Sequence, residues 1–210
     1  MTDQSVSDRK RTSILDAART VFSQKGYAQA AVEDVAEEAR IAKGTLYLYF
    51  KSKEELYLAA LISDLEAMLV KAREEITEAQ TFREKLRAFL RVRLDYCKSR
   101  QDFLRIYLAE YGSMFVKAPQ NPYLVQLLRT NMRYLAKTIN EAIERREIAP
   151  VPAGALAAAV YDISRGLMER RLLGWKEFRA QNEIEFTLDL LLAGVGPCAA
   201  HNVSKRARRN

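Results

Sequence analysis

Residues 33–53 read EDVAEEARIAKGTLYLYFKSK. Val35, Ala39, Ile41, Leu46 and Tyr49 are spaced so that two short helices can share one apolar seam. Ala36 falls where those helices would cross, a place with room only for a small side chain. The charge changes along the stretch. From Arg40 to Lys53 the basic residues Arg40, Lys43, Lys51 and Lys53 occur without a single Asp or Glu. Gly44, Thr45, Tyr47 and Tyr49 lie among them. A short exposed helix bearing a small residue, a hydroxyl, two phenols and flanking lysines suits a groove lined with phosphates. A helical hairpin in an ordinary core would account for Leu46 and Phe50, but not for the basic run or the Gly44-Thr45 pair.

A first helix is expected over about 7–25, with Ile14, Ala18, Val21 and Phe22 as its inner stripe and Gly26 at a left-handed cap. The helices of the opening stretch span about 32–39 and 43–49. Ser52 followed by Glu55 forms a capping box that opens a fourth helix, reaching to about residue 79. Amphipathic stretches continue over 81–99, 102–111, 123–147, 153–173 and 184–193, while GSMFVKAPQNP at 112–122 reads as a loop or a broken helix. Eight Gly, five Pro and few β-branched runs point the same way. The fold class is therefore all-α: an N-terminal three-helix head with a helix-turn-helix (1–54), a larger helical body (55–198) and a basic tail (199–210). A head of that size barely supports its own core and is expected to rest on the body.

The chain has 210 residues, 49% hydrophobic and 29% charged, the composition of a folded globular protein rather than a disordered one. Its net charge is +7. Arg9, Lys10 and Arg11 near the start and Lys205, Arg206, Arg208 and Arg209 near the end equal that whole excess, so the remainder is balanced. Nucleic-acid contact should accordingly be local: the N-terminal arm, the Arg40–Lys53 stretch and, more weakly, the tail. That balance argues against a general architectural DNA binder, which needs a broad basic face. Cys97 and Cys198 fit neither a metal spacing nor a disulfide framework, and with no leader-like segment a reducing cytoplasm is expected. The longest apolar stretches, such as 155–161, are far shorter than the ~20 residues of a membrane span. Catalysis has little to stand on. The one histidine, His201, lies in the tail, and no serine elbow, phosphate loop or metal cluster occurs. No catalytic residue, metal or cofactor is expected.

The chain resembles the TetR family of bacterial transcriptional repressors. The resemblance is carried by Val35-Ala36, by Lys43-Gly44-Thr45-Leu46-Tyr47-Leu48-Tyr49-Phe50 and by Lys51-Ser52-Lys53-Glu54-Glu55-Leu56. It extends back through Ile14-Leu15-Asp16-Ala17-Ala18 and Phe22-Ser23-Gln24-Lys25-Gly26-Tyr27, so it spans roughly residues 10–58. Order, spacing and residue type agree together. Three departures stand out. Arg40 occupies the turn position commonly held by Gly, Ala30-Ala31 replace the usual Ser/Thr cap of the second helix, and Glu33 stands where many relatives have a basic or neutral residue.

The resemblance implies a third helix in the major groove of an operator. Lys43, Gly44, Thr45 and Tyr47 would lie near base edges, Tyr47 and Tyr49 would face the DNA backbone, and Lys51 and Lys53 would flank a phosphate at the start of the fourth helix. Glu33 repels phosphate but can accept from cytosine N4. The same resemblance implies a homodimer joined by the last two helices. Ala155, Ala159, Ile163, Gly166, Leu167, Leu188, Leu191 and Leu192 suit such a seam. It further implies a small-molecule effector bound in the body, and polar residues on apolar stripes are the candidates: Arg93, Asn131 and Asp162, with Tyr107 and Tyr111 as a wall. The expected function is a ligand-responsive, dimeric repressor released from a palindromic operator. The alternative is a helical interaction module or architectural DNA binder without a ligand.

Overall fold

Apolar periodicity becomes helix throughout the described residues. The structure is a computed structural model that describes residues 3–111, 121–176 and 182–195; among these are nine helices and no strand. They are α1 (Asp3–Gln29), α2 (Val32–Glu38), α3 (Lys43–Tyr49), α4 (Lys53–Glu78), α5 (Phe82–Ser99), α6 (Gln101–Tyr111), α7 (Pro122–Glu144), α8 (Ala153–Leu172) and α9 (Glu183–Val195). The chain divides into two units. One is Met1–Ala67 with Arg100–Gln120, the other Met68–Ser99 with Asn121–Asn210, so α4 runs through both and the boundary between the units falls inside it. The tail from 199 and most of the stretch 112–122 lie outside the described residues; Asn121 and Pro122 open α7.

Helix ends follow local chemistry. Gly26, at φ 75°, breaks α1 where the sequence places a cap, and only a short turn follows it. At α4 the Glu55 amide donates to Ser52 Oγ at 3.1 Å, and the reciprocal bond runs from the Lys51 amide to Glu55 Oε2 at 2.7 Å. Thr81 and Glu84 make the same box for α5, with bonds of 3.2 and 2.9 Å. Asn121 Oδ1 accepts from the Leu124 amide at 3.1 Å, with Pro122 in the first turn of α7. α7 stops at Glu144, sooner than periodicity predicts. Arg146 takes φ 60°, and the Glu147 amide turns back to the Ala142 carbonyl at 2.9 Å in a Schellman closure.

In the first unit Ile14, Ala18, Val21 and Phe22 of α1 are buried as the stripe requires, together with Val35, Ala36, Leu46, Phe50, Leu56 and Tyr57. Phe22 meets Tyr57 edge-on at 5.3 Å, and Tyr57 lies 4.8 Å from Phe103 on α6. The buried Tyr57 hydroxyl donates to the Phe103 carbonyl at 2.8 Å. Asp64 of α4 is buried between Arg19 of α1 (2.6 Å) and Arg100 beside α6 (3.0 Å). Burial pushes its carboxyl up, while the two guanidiniums pull it down.

The second unit is built on α5, which buries Leu86, Phe89, Leu90 and Leu94. Leu135 and Ile139 of α7, Ala157, Val160 and Leu167 of α8, and Leu188 of α9 complete that core. Burying one such leucine removes enough apolar surface to be worth about 1.5–3 kcal/mol. Arg83 and Arg87 of α5 clasp α9. Arg87 Nε reaches Glu185 at 2.6 Å, and Arg83 reaches Glu185 and Asp189 at 2.7 Å each. Leu167 and Leu188, expected on an intersubunit seam, are sealed inside this core. Their faces of α8 and α9 turn inward because α5 packs on both helices.

Candidate nucleic-acid interface

The turn between α2 and α3 is also a Schellman closure. The Ile41 amide bonds the Ala36 carbonyl and the Arg40 amide the Glu37 carbonyl, each at 2.9 Å. Arg40 occupies the left-handed position of that motif, at φ 54°. Only the absence of a Cβ makes this conformation easy, which is why Gly is usual there. Ala31 gives α2 no side-chain cap, but Asp34 Oδ2 accepts from the Ala31 amide at 2.9 Å and so restores half of a capping box. Asp34 also pairs with Lys25 at 2.8 Å; that bond first, and the backbone bond second, hold its carboxyl low.

α3 is anchored by a single buried residue, Leu46, with Phe50 sealing its end. The rest of the helix is displayed. Lys43 and Gly44 are exposed, Thr45 and Tyr49 are half-buried, and Tyr47 is 43% exposed. A Cβ added at Gly44 would meet nothing within 4 Å, so the fold itself does not require glycine at this point. Leu48, which sequence reasoning passed over, is 83% exposed on the same short helix. The signal was available, because Leu48 lies between two residues already assigned to the surface. Its branched apolar end suits a thymine methyl. Arg11 of the basic arm stands over the Phe50 ring at 5.5 Å, close to the end of α3.

Glu33 and Lys43 pair with each other across the helix-turn-helix, both of them exposed. The bond to Lys43 lowers the Glu33 carboxyl and raises the Lys43 ammonium. Lys43 also stands 5.8 Å from the Tyr47 ring centroid. Lys51 is exposed beyond the end of α3. Lys53 is occupied otherwise than expected. Its Nζ donates to the carbonyls of Tyr27 at 2.7 Å and Ala30 at 3.0 Å, and it sits over the Tyr27 ring at 4.6 Å. That ammonium caps the frayed end of α1, so in this conformation it is not presented to a phosphate.

Of the residues expected to hold an effector, the three whose side chains are described sit in different settings. Arg93, on α5, is buried, with the Phe89 and Tyr161 rings 5.3 and 5.1 Å from its guanidinium carbon. Asn131 is a satisfied structural residue: its Oδ1 accepts from Arg73 Nε at 3.1 Å, and its Nδ2 donates to the Leu127 carbonyl at 2.7 Å. Asp162 is exposed and pairs with Arg165 one turn on, at 3.3 Å. It borders a surface groove of ≈ 470 Å³ between α8 and α9, lined also by Gly166, Arg170, Phe186 and Leu190. Tyr107 and Tyr111 fall within α6, with side chains outside the described residues. Ala155 and Ala159 are exposed on α8, and Ile163, Gly166, Leu191 and Leu192 are half-buried. Phe186 and Leu190, 61% and 62% exposed, extend that face and were missed. α9 thus carries apolar residues on an exposed face as well as on its buried one, beside the polar stripe of Glu185 and Asp189.

Residues 14–60 match the model of "Bacterial regulatory proteins, tetR family". The chain is 32% identical over 145 residues to the uncharacterized HTH-type transcriptional regulator YhgD of Bacillus subtilis (strain 168), a match covering 68% of this chain and 73% of that one. It is 38% identical over 77 residues to the fatty acid metabolism regulator protein of the same organism, covering 37% of this chain and 40% of that protein. Among solved structures, the fatty acid degradation regulator FadR from Bacillus halodurans superposes with a TM-score of 0.70 at 21% identity, over 87% of this chain and 94% of that one. The TetR family transcriptional regulator PfmR from Thermus thermophilus gives 0.63 at 22% identity, over 86% and 97%. At these identities the structural matches speak for the fold.

Proposed function

The chain belongs to the TetR family of bacterial regulatory proteins, and from that membership we propose that it is a dimeric repressor that binds a palindromic operator and leaves it when the body takes up a small molecule. It is a transcriptional regulator and not an enzyme. The observation that carries the reading is α3, a seven-residue helix held by one buried leucine, with Lys43, Gly44, Tyr47 and Leu48 facing solvent.

In this reading the exposed end of α3 enters the major groove. Lys43 and Thr45 contact bases or phosphates, Gly44 lets the backbone approach the DNA, and Tyr47, Tyr49 and Lys51 contact the backbone of the operator. Lys43 must exchange Glu33 for DNA, and Glu33 thereby tunes affinity. Lys53 supports the site by fixing the end of α1. One head makes too few contacts for specificity, so two heads read half-sites ~34–36 Å apart. The exposed faces of α8 and α9, with Ala155, Ala159, Phe186 and Leu190, are the proposed dimer seam. α4, shared by both units, is the covalent route by which an effector in the body reaches the head. The cell interior, where operators are found, is its proposed location.

The test is protection mapping on the DNA flanking its own gene, followed by DNA flanking fatty-acid genes because of the regulators named among its relatives. The expected result is a two-fold symmetric footprint that weakens steeply with salt, each phosphate contact adding about one to the slope. The absence of duplex binding even at low ionic strength would sink the reading.

A further inference from the structure

A buried charge in the second unit has no carboxylate counterpart among the described residues. Arg93 is 8% exposed, and its Nε has no hydrogen-bond partner. No carboxylate among the described residues pairs with it, although Arg83, Arg87 and Arg91 on the same helix are each paired. Phe89 and Tyr161, themselves in edge contact at 5.0 Å, both lie against its guanidinium. Burial pulls its pKa down, and the groups acting against that are Tyr161, Cys97 and Tyr96, none of them a carboxylate. Arginine nevertheless stays protonated in proteins. A second cation stands nearby. Arg73 of α4 acts on the same Tyr161 hydroxyl, is held by Asn131 and lies over Tyr134, again without a carboxylate partner among the described residues. The surroundings are the apolar core of the unit, including Leu90, Leu94 and Leu135.

An uncompensated buried charge is strongly unfavourable, and proteins that keep one supply it with an anion. We propose that Arg93, with Arg73 close by, forms the recognition point for the anionic head of an amphipathic effector, a carboxylate or a phosphate, whose apolar remainder lies among the core side chains of the second unit. Guanidinium offers either head a two-pronged set of donors, and the contacts with Phe89 and Tyr161 leave its other side to the anion. This inference rests on the reading of the body as an effector sensor and adds the chemical class of the effector.

The full-length protein, the Arg93→Met variant and the Arg93→Lys variant would be tested by thermal melting and calorimetric titration with decanoate, decyl phosphate and decanol at one ionic strength. Decanoate or decyl phosphate should raise the wild-type melting temperature more than decanol does, and whichever of the two acts identifies the head group. Arg93→Met should bind that anion at least roughly tenfold more weakly, the size of a lost charge-assisted hydrogen bond. If Arg93→Met does not fold, Arg93→Lys carries the comparison, since it keeps the charge but loses the fork: a weakened anion response supports the assignment and an undiminished one overturns it. Anions that shift the wild type no more than decanol, or a full anion response in Arg93→Met, overturn it as well. A decanol response equal in wild type and variant removes the anion site yet leaves the body an effector sensor, and operator binding measured on the same samples tests the repressor reading separately.

Discussion

At the scale of single residues, two positions in the helix-turn-helix show stability and DNA binding drawn apart. Arg40 closes α2 in a left-handed conformation that suits glycine. Arg40→Gly should raise thermal stability by about 1 kcal/mol, the relief of left-handed strain less the extra chain entropy of glycine. A melting temperature that falls would show that the Arg40 side chain contributes more than its backbone loses. Gly44 is the converse case. The fold has room for a methyl group there, and alanine is the better helix former. Gly44→Ala should therefore melt no lower than the wild type, yet bind operator about tenfold more weakly, on the order of one lost base contact. Equal operator affinity in a titration by fluorescence anisotropy would remove Gly44 from the interface.

At the scale of elements, the helices are set by their ends and fastened by charges drawn from other helices. α3 is too short to persist alone, since isolated helices under about 12 residues are marginal in water. It survives through Leu46, Phe50 and the turn before it. α9 is fastened by the Arg83–Arg87–Glu185–Asp189 clasp to α5. Arg87 first, and Arg83 second, hold the Glu185 carboxyl down to about 2, against 4.5 for a free glutamate. A depressed carboxylate stabilises the fold above its unfolded pKa and loses that contribution as pH falls through the folded value. Glu185→Gln should accordingly melt below the wild type at neutral pH, and the gap should close between about pH 4.5 and 2. A gap that stays constant over that range would mean that the clasp is not electrostatic.

At the scale of the molecule, the question is what covers the outer face of α8 and α9. Ala155, Ala159, Phe186 and Leu190 present apolar surface, and a second copy is the proposed cover. Leu190→Glu places a charge at the centre of that surface without touching the buried core. Sedimentation should then show a monomer, and operator affinity should fall, because one head alone lacks specificity. A Leu190→Glu protein that remains dimeric would move the seam elsewhere.

Much of this was readable in residues alone. The spans of α2 and α3, the Gly26 break, the Ser52–Glu55 box and the basic run from Arg40 all depend on chemistry within one or two helical turns, which neighbours in the chain determine. The pairing of Asp162 with Arg165 is of the same local kind. What the chain could not disclose were partners supplied from afar. Lys53 caps carbonyls some two dozen residues earlier, Arg93 meets a ring on α8, and Leu167 and Leu188 turn inward while Phe186 and Leu190 turn outward. Periodicity states that a helix has an apolar face; which neighbour covers that face, and which charge is left without a counter-ion, is decided only when distant helices meet, because burial and Coulomb energy depend on distance in space and not on separation in sequence.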